Sequence, residues 1–199
     1  MSVAKSALLA LAAAVGGAVY GLLTSLIPSP QGTAAFWISN LSSPWLVLAF
    51  LAGWSQRSWL WAAVAGVLAD VFAVSGFYFQ FLVYDEHGGY RGYTPPPLLT
   101  LIRSNLSGWL HFVAPWLLAA LVAGIAYGLL GRWWGARRSV VAGIAVTVPF
   151  VFEPLAWFAY YGFWRGPAVL WFGEALVGVG LSLLVIAVLR RHGRTRLRT

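Results

Sequence analysis

The sequence predicts an all-α protein, a polytopic transmembrane helix bundle with about six spans. Hydrophobic residues make up 60% of the 199 residues and charged residues only 9%, and the mean hydropathy is +0.78. About 25% of the residues of a typical soluble domain are charged, and these residues keep its surface hydrated. This chain has too few, so its solvent is a bilayer. Its apolar residues also fall into runs long enough for helices of roughly 20 residues, the length that crosses the hydrocarbon core.

Six apolar runs are the predicted spans. They cover about 6–27, 35–54, 58–83, 107–130, 139–164 and 168–189. The first has an apolar run longer than the roughly 7–15 residues of a signal-peptide core, so we expect a retained helix. Polar residues and a proline at 40–44 interrupt the second run, which predicts a short interfacial piece followed by a short span. We expect one transmembrane domain over 1–189 and a basic tail over 190–199.

The basic residues segregate to one side of the predicted bundle. Six spans place both termini on the same side, and ten of the thirteen lysines and arginines fall there. They are Lys5, Arg57, Arg132, Arg137, Arg138, Arg190, Arg191, Arg194, Arg196 and Arg198. The positive-inside rule then predicts a multi-pass protein of the cell membrane with both termini cytoplasmic. We expect membrane lipids as partners of this face, and no nucleic acid, although the net charge is +8.

Several chemistries lack their sequence signals. The chain has no cysteine, which excludes disulfides and thiolate sites, and it has no phosphate-binding loop, GxSxG elbow or HExxH helix. Asp85, Glu86 and His87 are adjacent in a predicted outer loop over 84–108, and adjacent residues rarely converge on one ion. We therefore expect neither a metal nor a cofactor. Pro95–Pro97 predict a stiff extended piece along the outer interface.

Two stretches share the pattern GxxYGLL, "GAVYGLL" at 17–23 and "GIAYGLL" at 124–130. Three helices per half would give a 3+3 inverted repeat, an arrangement known from secondary transporters. Chance similarity between two segments that are built from a few apolar residue types explains the likeness equally well. In either case the glycine pairs Gly17/Gly21 and Gly124/Gly128 are predicted to be sites of close helix packing.

Three acids lie inside predicted spans, Asp70, Glu153 and Glu174. A central acid costs about 2.5–3.5 kcal/mol to insert, so it rarely occurs without a partner or a function. A membrane-buried carboxylic acid can donate or shuttle a proton, which makes these three the candidate catalytic residues. Their predicted depths would allow them to face one cavity. The alternative is that each acid bonds to a neighbouring helix or pairs with His111 or Arg103.

The surroundings of the acids add two observations. Pro149 and Pro154 bracket Glu153 and each removes a backbone donor, which predicts a disturbed helix of the kind that lines cavities. Side chains close to the acids are predicted to bind an apolar small-molecule ligand, and ring faces among them would stabilise a cation. Ordinary packing is the alternative for each of them. The set comprises Phe72, Tyr78, His111, Phe152, Trp157, Tyr161 and Trp171.

The stretches "GLLTSLIPSPQGTAAFWISNLSSPWLVLAFLAGW" and "AAVAGVLADVFAVSGFYF" carry a family resemblance. They resemble an uncharacterised actinobacterial family of small integral-membrane proteins, best over residues 15–80, and this resemblance implies a polytopic membrane fold without an activity. The stretch "FVFEPLAWFAYY" is similar in architecture to the acid-bearing helix of membrane-embedded terpenoid cyclases. That likeness implies Glu153 as the acid that protonates an isoprenoid, although the PxEE pattern of the lycopene cyclases is absent.

Three functions remain open from the sequence. The first is an enzyme that cyclises or isomerises a lipid or isoprenoid, with Glu153 or Asp70 as the acid and Glu174 as a second acid or base. The second is a proton-coupled small-molecule transporter in which the same acids relay protons. The third is a non-catalytic accessory protein whose acids pair between helices. Because six spans in 199 residues make a small protein, a transporter of this size is expected to be a homodimer.

Overall fold

The computed structural model describes residues 2–27, 41, 43–84, 94, 96–161 and 168–196, and this part of the chain contains helices and no strands. The predicted all-α bundle is therefore confirmed. The helices are α1 Val3–Ser25, α2 Ser43–Trp54, α3 Trp59–Phe77, α4 Phe79–Leu82, α5 Leu98–Arg137, α6 Val140–Ala145, α7 Val148–Tyr161 and α8 Ala168–Arg196.

The six apolar runs become four long helices and four shorter ones in the described ranges. The helices α1, α3 and α5 and the Val169–Ala187 part of α8 are long and apolar enough to cross a membrane. The second run yields only α2, whose 12 residues reach roughly 18 Å, well short of a hydrocarbon core of about 30 Å. The predicted second span is thus a half-length helix, and the part of it over 35–40 lies outside the described residues.

Helix α3 is the centre of the bundle, and α1 packs along one side of it. A methyl group at Gly17 would overlap the carbonyl oxygen of Ala69, and one at Gly21 would overlap that of Ala73. The absence of a side chain at both glycines lets the two backbones touch, as in other small-residue helix contacts. The predicted packing role of Gly17 and Gly21 is confirmed.

Helix α5 packs against another side of α3 through the second glycine pair. Gly124 lies against the backbone of Gly66 and Val67, and a methyl group at Gly128 would overlap the carbonyl oxygen of Ala62. Both GxxYGLL stretches therefore contact the same central helix, which accounts for their likeness by packing. Helix α8 packs mainly on α7, and the inverted repeat remains a prediction.

Basic residues gather at one end of the bundle, here called the basic end and defined by Arg57, Arg132 and Arg138. Arg132 Nε donates a hydrogen bond to the Arg57 carbonyl at 2.7 Å, and its guanidinium lies over the Trp59 ring. Arg138 lies over the ring of Trp54. The chain therefore brings together basic residues that the loop analysis assigns to one side, while their cytoplasmic orientation remains a prediction.

Helix α5 is much longer than the predicted span 107–130. Its 40 residues extend over roughly 60 Å, so the predicted outer loop 84–108 is wrong over 98–108, which is helical. The three prolines precede the helix, with Pro97 at the N-cap position, where a missing N–H group leaves no intrahelical hydrogen bond unmade. The early turns are also anchored, because the Asn105 amide donates to the carbonyls of Leu82 and Tyr84 at 3.1 and 2.9 Å.

The predicted fifth span is broken between α6 and α7. A proline disfavours helical geometry at the residue before it. The break falls just before Val148 and Pro149, and Pro149 lies in the first turn of α7. Thr147 Oγ1 donates to the Ile144 carbonyl at 2.8 Å and lies 2.6 Å from Ser182 Oγ of α8. The break is thereby fastened to α8, whose helical backbone continues to Arg196, past the predicted boundary at 189/190.

Candidate functional site

The first residue of α2 is the centre of the candidate site. Ser43 is fully buried, and its backbone N–H donates to Glu153 Oε2 at 2.9 Å. Its hydroxyl donates to Glu174 Oε1 at 2.5 Å. The first N–H groups of a helix have no intrahelical acceptor and carry partial positive charge, so carboxylates are favourable partners there. We call Ser43, Glu153 and Glu174 the Ser43 cluster.

Ser43 lies well away from the basic end of the bundle. Trp54 closes α2 at the basic end, where Arg138 covers its ring, and Ser43 is roughly 17 Å away along the helix axis. That distance is close to half of a hydrocarbon core of about 30 Å. A helix that starts at this depth exposes unpaired donors where water is scarce, so protein groups have to satisfy them.

The acids reach Ser43 from two helices that are held together close by. A methyl group at Gly178 of α8 would lie 2.7 Å from the Cβ atom of Phe150 of α7, so this glycine permits close approach of the two helices. The contact between Thr147 and Ser182 joins them one turn further. These two contacts hold α7 against α8, and Glu153 and Glu174 both reach the N-terminus of α2.

The two carboxyl groups of the Ser43 cluster lie within electrostatic range of each other. Glu174 is 6% exposed, and Tyr20 of α1 is also within electrostatic range of Glu153. Neighbouring carboxyl groups can share a proton, as the acid pairs of several enzymes do. The arrangement is therefore suited to binding and releasing a proton inside the membrane.

Asp70 occupies a different place, on α3. It is 2% exposed, and its Oδ1 atom has no hydrogen-bond partner in the part of the chain that the structure describes. Tyr127 of α5 is within its electrostatic range, and the Tyr127 hydroxyl is 3.5 Å from the Ala145 carbonyl. The three predicted acids thus divide into a pair on Ser43 and a separate aspartate facing α5.

Replacing Asp70 by asparagine is expected to leave the stability of the folded protein unchanged or to raise it. Asparagine keeps nearly the same shape and the Oδ1 acceptor, and its amide has no formal charge to desolvate. The measurement is the midpoint of unfolding in mixed detergent micelles, compared with Ser75→Ala, which removes a hydroxyl bonded only within α3. A marked loss of stability in Asp70→Asn alone would show that the carboxylate has a structural partner.

The predicted ligand-binding rings are dispersed. Phe72 and Phe152 are 43% and 61% exposed and face outward from the bundle. Tyr78 packs with Phe77 and Trp116 near the end of α3, and His111 is exposed on α5. Trp171 is 4% exposed and lies one helical turn before Glu174. The side chains of Trp157 and Tyr161 lie outside those that the structure describes.

Ser43 is the site residue that the sequence analysis missed. In the sequence this serine is only part of the interruption at 40–44, and the partners expected for the acids are His111 or Arg103. A serine followed by proline at the start of an apolar run is itself a signal for a helix N-terminus. Among the described residues, no three His, Asp or Glu side chains lie together as metal ligands, and Asp85, Glu86 and His87 are outside the described ranges.

Four long apolar helices, with shorter helices between them and an acid pair from α7 and α8 on the first residue of α2, define a polytopic helical membrane protein. Residues 1–100 match the model of a family of unknown function (DUF6518), which is half of the chain, and the protein belongs to this family. No curated protein and no solved structure matches the chain. The family match includes Ser43 and Asp70 but neither glutamate of the Ser43 cluster. It assigns no activity, and the likeness to terpenoid cyclases remains a prediction.

Proposed function

We propose that the protein is a proton-coupled membrane transporter of a small molecule, and that the Ser43 cluster is its proton-binding site. The observation that carries this proposal is the meeting of two carboxyl groups from separate helices on one buried helix N-terminus. Intramembrane acids that face a bundle interior are typical of proton relays. The two acids accept from two donors of the same residue, which brings two titratable groups from different helices to one position.

The helices around the cluster support the same function. Transporter sites are commonly formed by discontinuous helices whose N-termini end near the bilayer midplane. Helix α2 starts at such a depth, and the predicted fifth span is broken at Thr147 next to α8. The break at Thr147 supplies irregular backbone just before the helix that carries Glu153, and irregular backbone at membrane depth is tolerated only where protein or a cavity covers it.

The mechanism follows from the contacts of Ser43. When Glu174 is ionised, the Ser43 hydroxyl donates to it, and the backbone N–H donates to Glu153. Uptake of a proton by either acid changes an acceptor into a donor and weakens one of the bonds that hold α2 to α7 and α8. Proton binding is thereby coupled to the position of a half-length helix, which is the kind of two-state element that alternating access needs.

An acid-catalysed enzyme for an apolar isoprenoid is the second candidate, and Trp171 is the observation that favours it. This buried ring lies one turn from Glu174 and would present an aromatic surface next to a proton donor. Phe72 and Phe152 are exposed. They therefore do not enclose the carbocation that a protonated isoprenoid would form, as aromatic rings do in such an enzyme. The transporter therefore remains the better-supported function.

The test is reconstitution of the wild type and of the Glu153→Gln/Glu174→Gln double variant in proteoliposomes. An imposed pH gradient is expected to drive proton flux through the wild type, with a loss of about tenfold or more in the double variant, as expected when the relay acids are removed. Ser75→Ala is the control, since its hydroxyl bonds only to the Val71 carbonyl of its own helix. The same vesicles are supplied with isoprenoid candidates, and products are sought by mass spectrometry.

Each result decides between the candidates. Flux that depends on the two glutamates, without a product, supports the transporter. Product formation without flux assigns the acids to catalysis instead. If the double variant folds and retains full flux, the Ser43 cluster is not the proton site and the proposal fails.

A further inference from the structure

A pocket of about 330 Å³ opens at the basic end, on the seam between α1 and α3. It is lined by Val3, Ser6, Arg57, Ser58 and Trp61. The pocket lies at the opposite end of α2 from the Ser43 cluster, so it is separate from the candidate site above. Its lining combines one cation, two hydroxyls and two apolar side chains.

One buried residue that lines this pocket has a side chain without a hydrogen-bond partner in the described chain. Ser6 is 4% exposed, and the hydrogen bonds found at this residue involve its backbone, with the Ser2 carbonyl and the Gln56 amide. Its hydroxyl therefore remains available to the pocket. Buried polar groups normally find partners, so this hydroxyl, which lines an open pocket, indicates a missing ligand.

The charges of the lining indicate an anion. The described part of the chain offers Arg57 no ion-pair partner, because the acids Asp70, Glu153 and Glu174 lie deeper in the bundle. The neighbouring Arg132 is already engaged by the Arg57 carbonyl and the Trp59 ring. Ser58 is the N-cap of α3 but makes no side-chain capping bond. Its hydroxyl and the first N–H groups of α3 are thus free to bind an oxyanion.

We propose that this pocket binds the phosphate of an anionic phospholipid headgroup. The guanidinium of Arg57 and the hydroxyls of Ser6 and Ser58 are the donors for the phosphate oxygens. The polar part of the lining is bordered by the apolar side chains of Trp61 and of Val3, which is 71% exposed. A lipid satisfies both surfaces at once, since its phosphate fills the polar pocket while its glycerol and acyl groups cover the apolar border. A free phosphate would leave that border uncovered.

The test is native mass spectrometry of the full-length protein in detergent with equimolar phosphatidylglycerol and phosphatidylcholine. The wild type is expected to retain phosphatidylglycerol preferentially. Arg57→Gln is expected to lower the retained fraction about tenfold, the effect of losing one charge-assisted hydrogen bond to the phosphate. Ser6→Ala, which leaves the carbonyl that Gln56 contacts in place, is expected to lower it as well. The matched control is Arg137→Gln, an exposed arginine near the same end that does not line the pocket.

Three outcomes would overturn the proposal. Equal losses in Arg57→Gln and Arg137→Gln would show that binding depends on the overall charge of the basic end. Equal retention of phosphatidylcholine would show that the pocket does not select an anionic headgroup. Displacement of phosphatidylglycerol by inorganic phosphate would assign the pocket to free phosphate instead of a lipid.

Discussion

Replacing Glu153 by leucine is expected to destabilise the folded protein by about 3 kcal/mol, because a buried donor loses its acceptor at membrane depth. The donor is the Ser43 N–H at the start of α2, which bonds to Glu153 Oε2 at 2.9 Å. Glu153→Gln has nearly the same shape and retains an amide oxygen that accepts this bond. Glutamine is therefore expected to preserve the fold while it removes the titratable proton. The pair of variants separates the structural role of the side chain from its proposed role in proton binding.

The measurement is the free energy of unfolding in mixed micelles for both variants. Phe152→Leu is the control, since it changes an adjacent side chain that is 61% exposed and faces outward. It is expected to differ little from the wild type. Comparable stability of Glu153→Leu and Glu153→Gln would mean that α2 does not depend on this carboxylate, and would remove the structural basis of the Ser43 cluster.

Alanine at both Gly17 and Gly21 is expected to cost about 2–5 kcal/mol of stability, the sum of two overpacked positions. Each added methyl group would overlap a carbonyl oxygen of α3, at Ala69 or Ala73. The overlap is with backbone, so a side-chain rotation does not relieve it and α1 has to move away from α3. The loss of contact extends over the whole seam between the two helices.

Gly16→Ala is the matched control for this pair. It lies next to Gly17 in the same helix, but a methyl group there meets nothing within 4 Å. Alanine is the better helix former by up to about 1 kcal/mol, so this variant is expected to be as stable as the wild type or more so. If Gly16→Ala and Gly17→Ala have equal effects on the unfolding midpoint, the contact between α1 and α3 is not as close as described.

The sequence predicts the helical class and the glycine contacts because both depend on local patterns. A run of apolar residues identifies a span, and a GxxxG spacing identifies a close contact without naming the partner helix. It does not predict that α3 is the common partner of Gly21 and Gly128, since that choice depends on long-range packing. The length of α5 was also missed, because Pro95–Pro97 are as compatible with a helix start as with an extended loop.

The candidate site is predictable in its residue types but not in its grouping. Composition alone marks Asp70, Glu153 and Glu174 as unusual, and their predicted depths are similar. Depth does not determine the direction in which a helix points its side chain, so the separation of Asp70 from the two glutamates requires the packed structure. Ser43 is harder to anticipate, because the pair Ser43–Pro44 indicates a helix start but does not indicate that acids from two other helices meet there.

The central position of α3 has a consequence for the way the chain enters the membrane. Helix α1 is synthesised before α3. Tyr127 of α5 lies near Asp70 but comes 57 positions after it in the chain. At about 5–20 residues per second, the ribosome needs roughly 3–11 seconds to make that segment. For this interval Asp70 lacks the side of the bundle that α5 later covers. The burial of Asp70 therefore depends on α5, a helix that is not yet synthesised when α3 is inserted.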